Sequence, residues 1–216
     1  MERNNESLAL ISDKDIQELN DVRTKLEQTL MTKLRNAGIY FHSMSRVKTL
    51  TSLQRKLDTG KYGTGKDDKK IQDLIGIRIN LFYTEDIRIS EALLEDTFMV
   101  DNWSKTAWEE NRFEAQKCNG VFKIPSKYLI NISDQLWEQP FDRTFEVQLR
   151  TVLFEGWHEI EHEMRYKYKM DEGFDDNRSS LWDGQEKDAR MMNSIIANLE
   201  PVSYTHLRAH ETGRNL

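Results

Sequence analysis

Apolar residues at Ile16, Leu19, Val22, Leu26, Leu30 and Leu34 recur every three or four positions, so the spacing predicts one amphipathic helix from Asp13 to Ala37, ended by Gly38. A second helix is predicted from about Leu50 to Leu57, running into Thr59-Gly60. Ile75, Ile77, Ile79 and Leu81 then alternate with Gly76, Arg78 and Asn80, the period of a strand with one buried face. Ile87 to Glu95 returns to helical spacing. Phe98 to Val100 reads as a short strand, and Val121 to Ile132 as one or two more, broken near Pro125. Phe145, Val147 and Leu149 alternate with Glu146, Gln148 and Arg150 in a further strand, and Val152 to Met170 and Glu186 to Leu199 are predicted helices. No internal repeat is visible. The order predicts an α/β or α+β single domain, a mixed sheet with helices packed on it.

Composition narrows the class. At 216 residues the chain is long enough to bury a sizeable core without disulfides or metals. Its lone Cys118 cannot form an internal disulfide, and Met1-Glu2-Arg3-Asn4-Asn5-Glu6 is too polar to open a signal peptide, so a reducing cytoplasm is the expected location. No apolar run approaches membrane-spanning length. A net charge of -6 argues against nonspecific nucleic-acid binding, which needs clustered positive charge. The charge is uneven, however: from Arg46 to Lys70 there are eight basic residues against three acidic ones, whereas Glu155 to Asp176 is acidic. A basic lobe beside an acidic one suits a small polyanion bound through a divalent cation, and a solvated helix face is the plainer reading of the same run.

The segment Phe145 to Lys169 carries two competing chemistries. His158-Glu159-Ile160-Glu161-His162 is an H-E-x-x-H string, in which two histidines four apart on a helix can share a zinc ion and the glutamate can activate its water. The third ligand is missing from the pattern: His42 is far upstream, Glu186 is only a formal candidate, and His206 and His210 lie in a segment from Val202 that continues no earlier pattern. That segment, 202–216, resembles a translated sequencing-adapter read-through and is expected not to belong to the natural protein. The alternative chemistry rests on Asp73 and Glu146, two carboxylates presented by strands, which can hold a Mg²⁺ that takes substrate phosphates as further ligands. Arg46, Lys48, Arg55 and Lys56 are then available to neutralise a polyphosphate or stack on a base. The loop Tyr62-Gly63-Thr64-Gly65-Lys66 lacks the Gly-Lys-Ser/Thr ending of a P-loop and reads as a surface loop.

Taken together, four motifs resemble the synthetase domain of the RelA/SpoT family. They are Arg46-Val47-Lys48 with Ser52 and Lys56; Asp73-Leu74-Ile75-Gly76-Ile77-Arg78; Phe145-Glu146-Val147-Gln148-Leu149-Arg150-Thr151; and Trp157 with Ile160-Glu161-His162 and Tyr166-Lys167. Their order and spacing are similar to those of small, synthetase-only alarmone synthetases over about residues 13–201, with residues 1–12 expected to be a flexible N-terminus. The resemblance implies a nucleotidyltransferase-like mixed sheet flanked by helices, and transfer of the β,γ-pyrophosphate of ATP to the ribose 3′-hydroxyl of GDP or GTP, making (p)ppGpp. It implies Mg²⁺ on Asp73 and Glu146, with Glu146 also orienting or deprotonating the acceptor hydroxyl. Arg46 and Arg78 resemble the adenine-sandwiching pair, and Lys48 and Lys56, with Ser52 beside them, the donor-phosphate ligands.

On the acceptor side the candidates are Lys117, Gly120, Phe122, Lys123, Gln148, Arg150, His162, Tyr166 and Lys167; of these the resemblance aligns Gly120, sets Tyr166 and Lys167 along the acceptor, and has His162 support the active-site strand. Here the chain departs from the family pattern. Typical members carry Gly-Tyr-x-Ser, whose tyrosine stacks on the acceptor guanine, and this chain reads Gly120-Val121-Phe122-Lys123. Phe122 is displaced by one residue, which on a strand means the opposite face, so it is not an automatic substitute. Arg112, Phe113 and Gln116 are further acceptor-side candidates, with Phe113 or Phe122 available to stack on the base; the same residues read equally well as core aromatics beside surface lysines. An adenine nucleotide or the 3′ end of tRNA is therefore kept as an alternative acceptor, and a zinc hydrolase built on His158 and His162 as an alternative class. No His-Asp dyad like that of the family's hydrolase domain precedes the synthetase motifs, so alarmone hydrolysis is not expected. Small members of the family often form homo-oligomers, an option for this chain as well.

Overall fold

Ser12 opens the first helix, α1 (Asp13–Asn36), with a capping box. Its Oγ accepts the Asp15 N–H at 3.1 Å and its own N–H donates to the Asp15 carboxylate at 3.0 Å. The computed structural model describes residues 11–64, 68–105 and 118–160, with the single positions 191 and 195, both helical. Ile11 packs into the core beside this cap, so Ile11 and Ser12 belong to the folded domain and not to the flexible segment expected over 1–12. The predicted stripe Leu19, Val22, Leu26, Leu30 and Leu34 is buried, and Gly38 turns the chain at φ 74°.

After β1 (Phe41–Val47), a strand absent from the sequence reading, come α2 (Leu50–Asp58), β2 (Ile75–Leu81), α3 (Asp86–Thr97), β3 (Val100–Lys105) and β4 (Cys118–Lys123). A 3-10 turn over Ser126–Tyr128, α4 (Asp134–Glu138) and β5 (Thr144–Thr151) follow, and α5 begins at 152 and is described to 160. The strand expected after Pro125 is thus a turn and a short helix. The five strands form one mixed sheet in the order β1-β2-β5-β4-β3, parallel between β2 and β5 and antiparallel elsewhere. With helices flanking it, this is the predicted single-domain architecture.

Alternation gives the sheet two unlike faces. Ile75, Ile77, Ile79 and Leu81 of β2 and Phe145, Val147 and Leu149 of β5 are buried on the side covered by α1 and α3. Burying each such side chain contributes roughly 1.5–3 kcal/mol. Phe122 joins them, fully buried, with its ring 5.3 Å from Trp103 at 88° and 5.7 Å from Phe145. Gly120 makes room for that cluster, because a Cβ there would lie 2.5 Å from the Phe122 ring and 2.7 Å from Trp103. At the end of β4, the buried Cys118 donates its S–H to Glu91 Oε1 at 2.8 Å; burial, then Glu91, push its thiol up to about 12. Among the described residues no helix is long and apolar enough to cross a membrane.

Candidate active site

The other face of the sheet is polar and partly open. Register sets its side chains in rows: Arg46, Gly76, Glu146 and Val121 lie side by side across β1, β2, β5 and β4. The next row holds Met44, Arg78, Gln148 and Asn119, and the third His42, Asn80 and Arg150. A cavity of about 450 Å³ opens over the first two rows, lined by Met44, Ser45, Arg46, Lys48, Asp73, Gly76, Ile77, Arg78, Glu146, Gln148 and Glu159. Gly76 leaves its floor bare between Arg46 and Glu146, since a Cβ there would meet nothing within 4 Å.

At the cavity rim Asp73 sits just before β2 and receives two ammonium groups. Lys48 Nζ is 2.5 Å from its Oδ2, and Lys56 Nζ is 2.8 Å from both oxygens. Two local features bring the lysines there. Lys48 extends β1 by donating its N–H to Leu74 O at 2.8 Å, and Thr49 caps α2 by accepting the Ser52 N–H, so that Lys56 falls on the turn facing Asp73. Burial alone would raise the Asp73 carboxyl, but hydrogen bonds and charge from Lys48 and Lys56 outweigh it and hold it below its ordinary value. The lysines diverge: burial lowers Lys48 despite Asp73, with Lys56 adding to the drop, whereas at Lys56 burial is outweighed by Asp73 and the ammonium is raised.

Glu146, in the middle of β5, is held by neutral groups. Asn119 Nδ2 donates to its Oε1 at 3.0 Å and Gln148 Nε2 to its Oε2 at 2.8 Å. Arg78 donates through Nε to Gln148 Oε1 at 3.1 Å and pairs with Glu155 and, at 3.2 Å, Glu159 of α5. Burial and then the nearby Arg78 lower the Arg150 guanidinium from its ordinary value.

Residues 45–171, more than half of the chain, match the model described as a region found in RelA/SpoT proteins. The chain belongs to the RelA/SpoT family. Solved structures agree on the fold of this RelA/SpoT chain. Small alarmone synthetase 2 from Bacillus subtilis superposes with a TM-score of 0.59 at 17% identity, covering 90% of this chain and 97% of that one. Small alarmone synthetase 1 from the same organism, bound to its product pppGpp, gives 0.60 at 18%, covering 91% and 93%. A GTP pyrophosphokinase family protein from Streptococcus pneumoniae gives 0.59 at 19%, covering 94% and 93%. Comparison with curated proteins gives no match.

Within this RelA/SpoT fold the residues expected on the donor side fall around one cavity: Arg46, Lys48, Asp73, Arg78 and Glu146 line it, and Lys56 reaches it through Asp73. Ser52 stands in the first turn of α2 against Thr49. The acceptor side divides. Gln148 lines the cavity, but Arg150 is turned toward Asn119 and main-chain carbonyls. Phe122 takes the core alternative, because the one-residue step from Val121 reverses the face, and Gly120, expected at the acceptor, serves core packing instead. Lys123 lies two residues beyond Val121, on the same face, beside a second cavity of about 420 Å³ shared with Lys70 and Arg143. Lys117, Arg112, Phe113 and Gln116, and likewise His162, Tyr166, Lys167 and the segment 202–216, lie outside the described residues. His158 is exposed on α5, and among the described residues no group of three or more His, Cys, Asp or Glu could hold a metal ion.

Three contacts to candidate site residues escaped the sequence reading. Asn119 holds Glu146, and Glu155 and Glu159 hold Arg78. The alternation of β4 places Asn119 on the same face as Val121, a signal that was available once Glu146 was known to face that way.

Proposed function

We propose that the chain is a Mg²⁺-dependent pyrophosphokinase, moving the β,γ-pyrophosphate of ATP to the ribose 3′-hydroxyl of GDP or GTP. The observation that carries this reading is the convergence of Lys48 and Lys56 on Asp73 at the rim of the same cavity that Glu146, Arg46 and Arg78 line. Asp73 and Glu146 offer oxygen donors only, which fits a hard cation that keeps waters and takes phosphates as its remaining ligands. Bound there, Mg²⁺ would supply neutralisation of the charge that develops on the phosphates.

In the transfer, the acceptor's 3′-oxygen bonds to the β-phosphorus of ATP, the bond from that phosphorus to the α,β-bridging oxygen breaks, and AMP leaves. The hydroxyl proton passes to Glu146, which its two amide donors hold toward the cavity. Lys48 and Lys56 neutralise the donor phosphates, exchanging Asp73 for phosphate oxygens, and Arg46 offers a planar cation for the base. Such chemistry needs positioning and charge more than covalent help.

The test is incubation of the purified protein with β- or γ-labelled ATP, Mg²⁺ and one of GDP, GTP, ATP or tRNA. Label on a guanine nucleotide with equimolar AMP is expected, and ATP hydrolysis without transfer overturns the reading. A second acceptor is favoured by one observation: Val121, aliphatic, is the residue beside Glu146 where typical relatives carry a base-stacking tyrosine. Label in a 3′-pyrophosphorylated adenine nucleotide or on tRNA, with none on a guanine nucleotide, would select that alternative. Val121→Tyr is expected to raise kcat/KM for GDP about tenfold, in line with the worth of one base–aromatic stack.

A further inference from the structure

A side-chain amide has an accepting end and a donating end, and its partners decide which way it faces. Both amides that hold Glu146 are turned by an arginine. Arg78 Nε donates to Gln148 Oε1 at 3.1 Å, and Arg150 Nη2 donates to Asn119 Oδ1 at 2.7 Å. A guanidinium only donates, so neither amide can reverse without setting N–H against N–H and carbonyl oxygen against carboxylate. Each arginine is anchored in turn: Arg78 by Glu155 and Glu159, and Arg150 by Leu149 O at 2.7 Å and Cys118 O at 3.5 Å. Register makes this possible, because Gln148 stands opposite Arg78 on one side and Asn119 on the other.

We propose that Arg78 and Arg150 are positioning residues, orienting the amides of Gln148 and Asn119 so that both amino groups clamp the Glu146 carboxylate. The role of this clamp in catalysis rests on the transfer reading above, whereas the clamp itself belongs to the free protein. Two of the carboxylate's roughly four acceptor positions are taken by the amides, which leaves the others for the acceptor hydroxyl and the cation. Fixing a reacting group in this way matters because a misplacement of about 1 Å costs on the order of 100-fold in rate. Arg150, a candidate for the acceptor side, is thereby assigned to Glu146.

Two measurements on the full chain test the proposal. The first needs no reaction: side-chain amide exchange with solvent, followed by ¹⁵N NMR. Arg150→Met is expected to speed exchange at Asn119 on the order of tenfold, as for loss of one hydrogen bond, while Gln148 stays unchanged. Equal exchange at Asn119 in the two proteins overturns the clamp. The second is the transfer assay, in which Arg150→Met and Asn119→Leu should each lower kcat about 10- to 100-fold, with both KM values within about twofold. The double variant should be no worse than the worse single one, because a relay fails as a unit. Losses that multiply, or a change confined to the acceptor KM, overturn the proposal and return Arg150 to the substrate. Asn119→Asp keeps the shape and sets carboxylate against carboxylate, so full activity in that variant also overturns it. Should the wild-type protein transfer nothing while amide exchange responds as expected, the transfer reading falls and the clamp stands.

Discussion

Asp73 and Glu146 line one cavity and are held by opposite means. Asp73 is neutralised by two flexible ammonium groups, whereas Glu146 is gripped by two neutral amides with the arginines one bond further away. The first arrangement hides a charge until something draws the lysines off; the second holds its carboxylate toward the cavity with no cation in direct contact among the described residues. On the proposed transfer reading a polyphosphate supplies what the lysines want, so the Asp73 side is set to change on binding and the Glu146 side to stay still. If the site captures a mobile polyanion and then orients a hydroxyl, as proposed, it gains from having one adaptable carboxylate and one fixed one.

The comparison breaks most visibly if either carboxylate is dispensable. Asp73→Ala and Glu146→Ala are each expected to lower label transfer about 1,000-fold, and a loss below tenfold at Glu146 would remove it as the base. Next in size is the support behind the clamp. Gly120→Ala pushes a methyl into Phe122 and Trp103 and should cost about 1–3 kcal/mol in thermal or urea unfolding, whereas an unchanged midpoint would mean that the β4 backbone beside Asn119 is free to shift. The difference in mobility is sharpened by Lys48→Met and Lys56→Met. Each should tighten Mn²⁺ binding to the nucleotide-free protein about tenfold in an electron-spin-resonance titration, by removing a cation that competes for Asp73. Unchanged Mn²⁺ affinity would show that the lysines do not guard this carboxylate.

The smallest effect is on pH dependence. The Asp73 carboxyl is held below its ordinary value in the fold, so it stabilises the protein above its unfolded value, about 3.9, and loses that contribution as pH falls through the lower folded value. The melting-temperature advantage of wild type over Asp73→Asn should accordingly shrink below about pH 4. An advantage constant from pH 7 to pH 3 contradicts stabilisation by the lysines.

What the chain revealed in advance follows from how regularly each element is buried. In α1, β2 and β5 buried and exposed positions alternate in step with polarity, and their extents and faces were legible. In β1 the polarity is inverted: Ser43 and Ser45 face α1, where they donate to Glu27 at 3.4 and 2.6 Å, while Met44 faces the cavity. A polar contact between helix and edge strand therefore concealed the strand that carries Arg46. On the acceptor side the difficulty was different. Phe122 could be excluded from the face of Val121 by parity alone, but the partners of Glu146 required the lateral register of β4 on β5, which periodicity within a strand does not encode. For the same reason the hydrogen bonds that Arg150 donates to Asn119 Oδ1 and to main-chain carbonyls were not legible in advance.

Cys118 turns this architecture into a built-in reporter. It is the single cysteine of the chain, it neighbours Asn119, and with its thiol at about 12 almost none of it is thiolate at neutral pH. Alkylation must then wait for the end of β4 to detach from Glu91 and the core, so the labelling rate of the unmodified protein measures how often the strand bearing Asn119 comes loose.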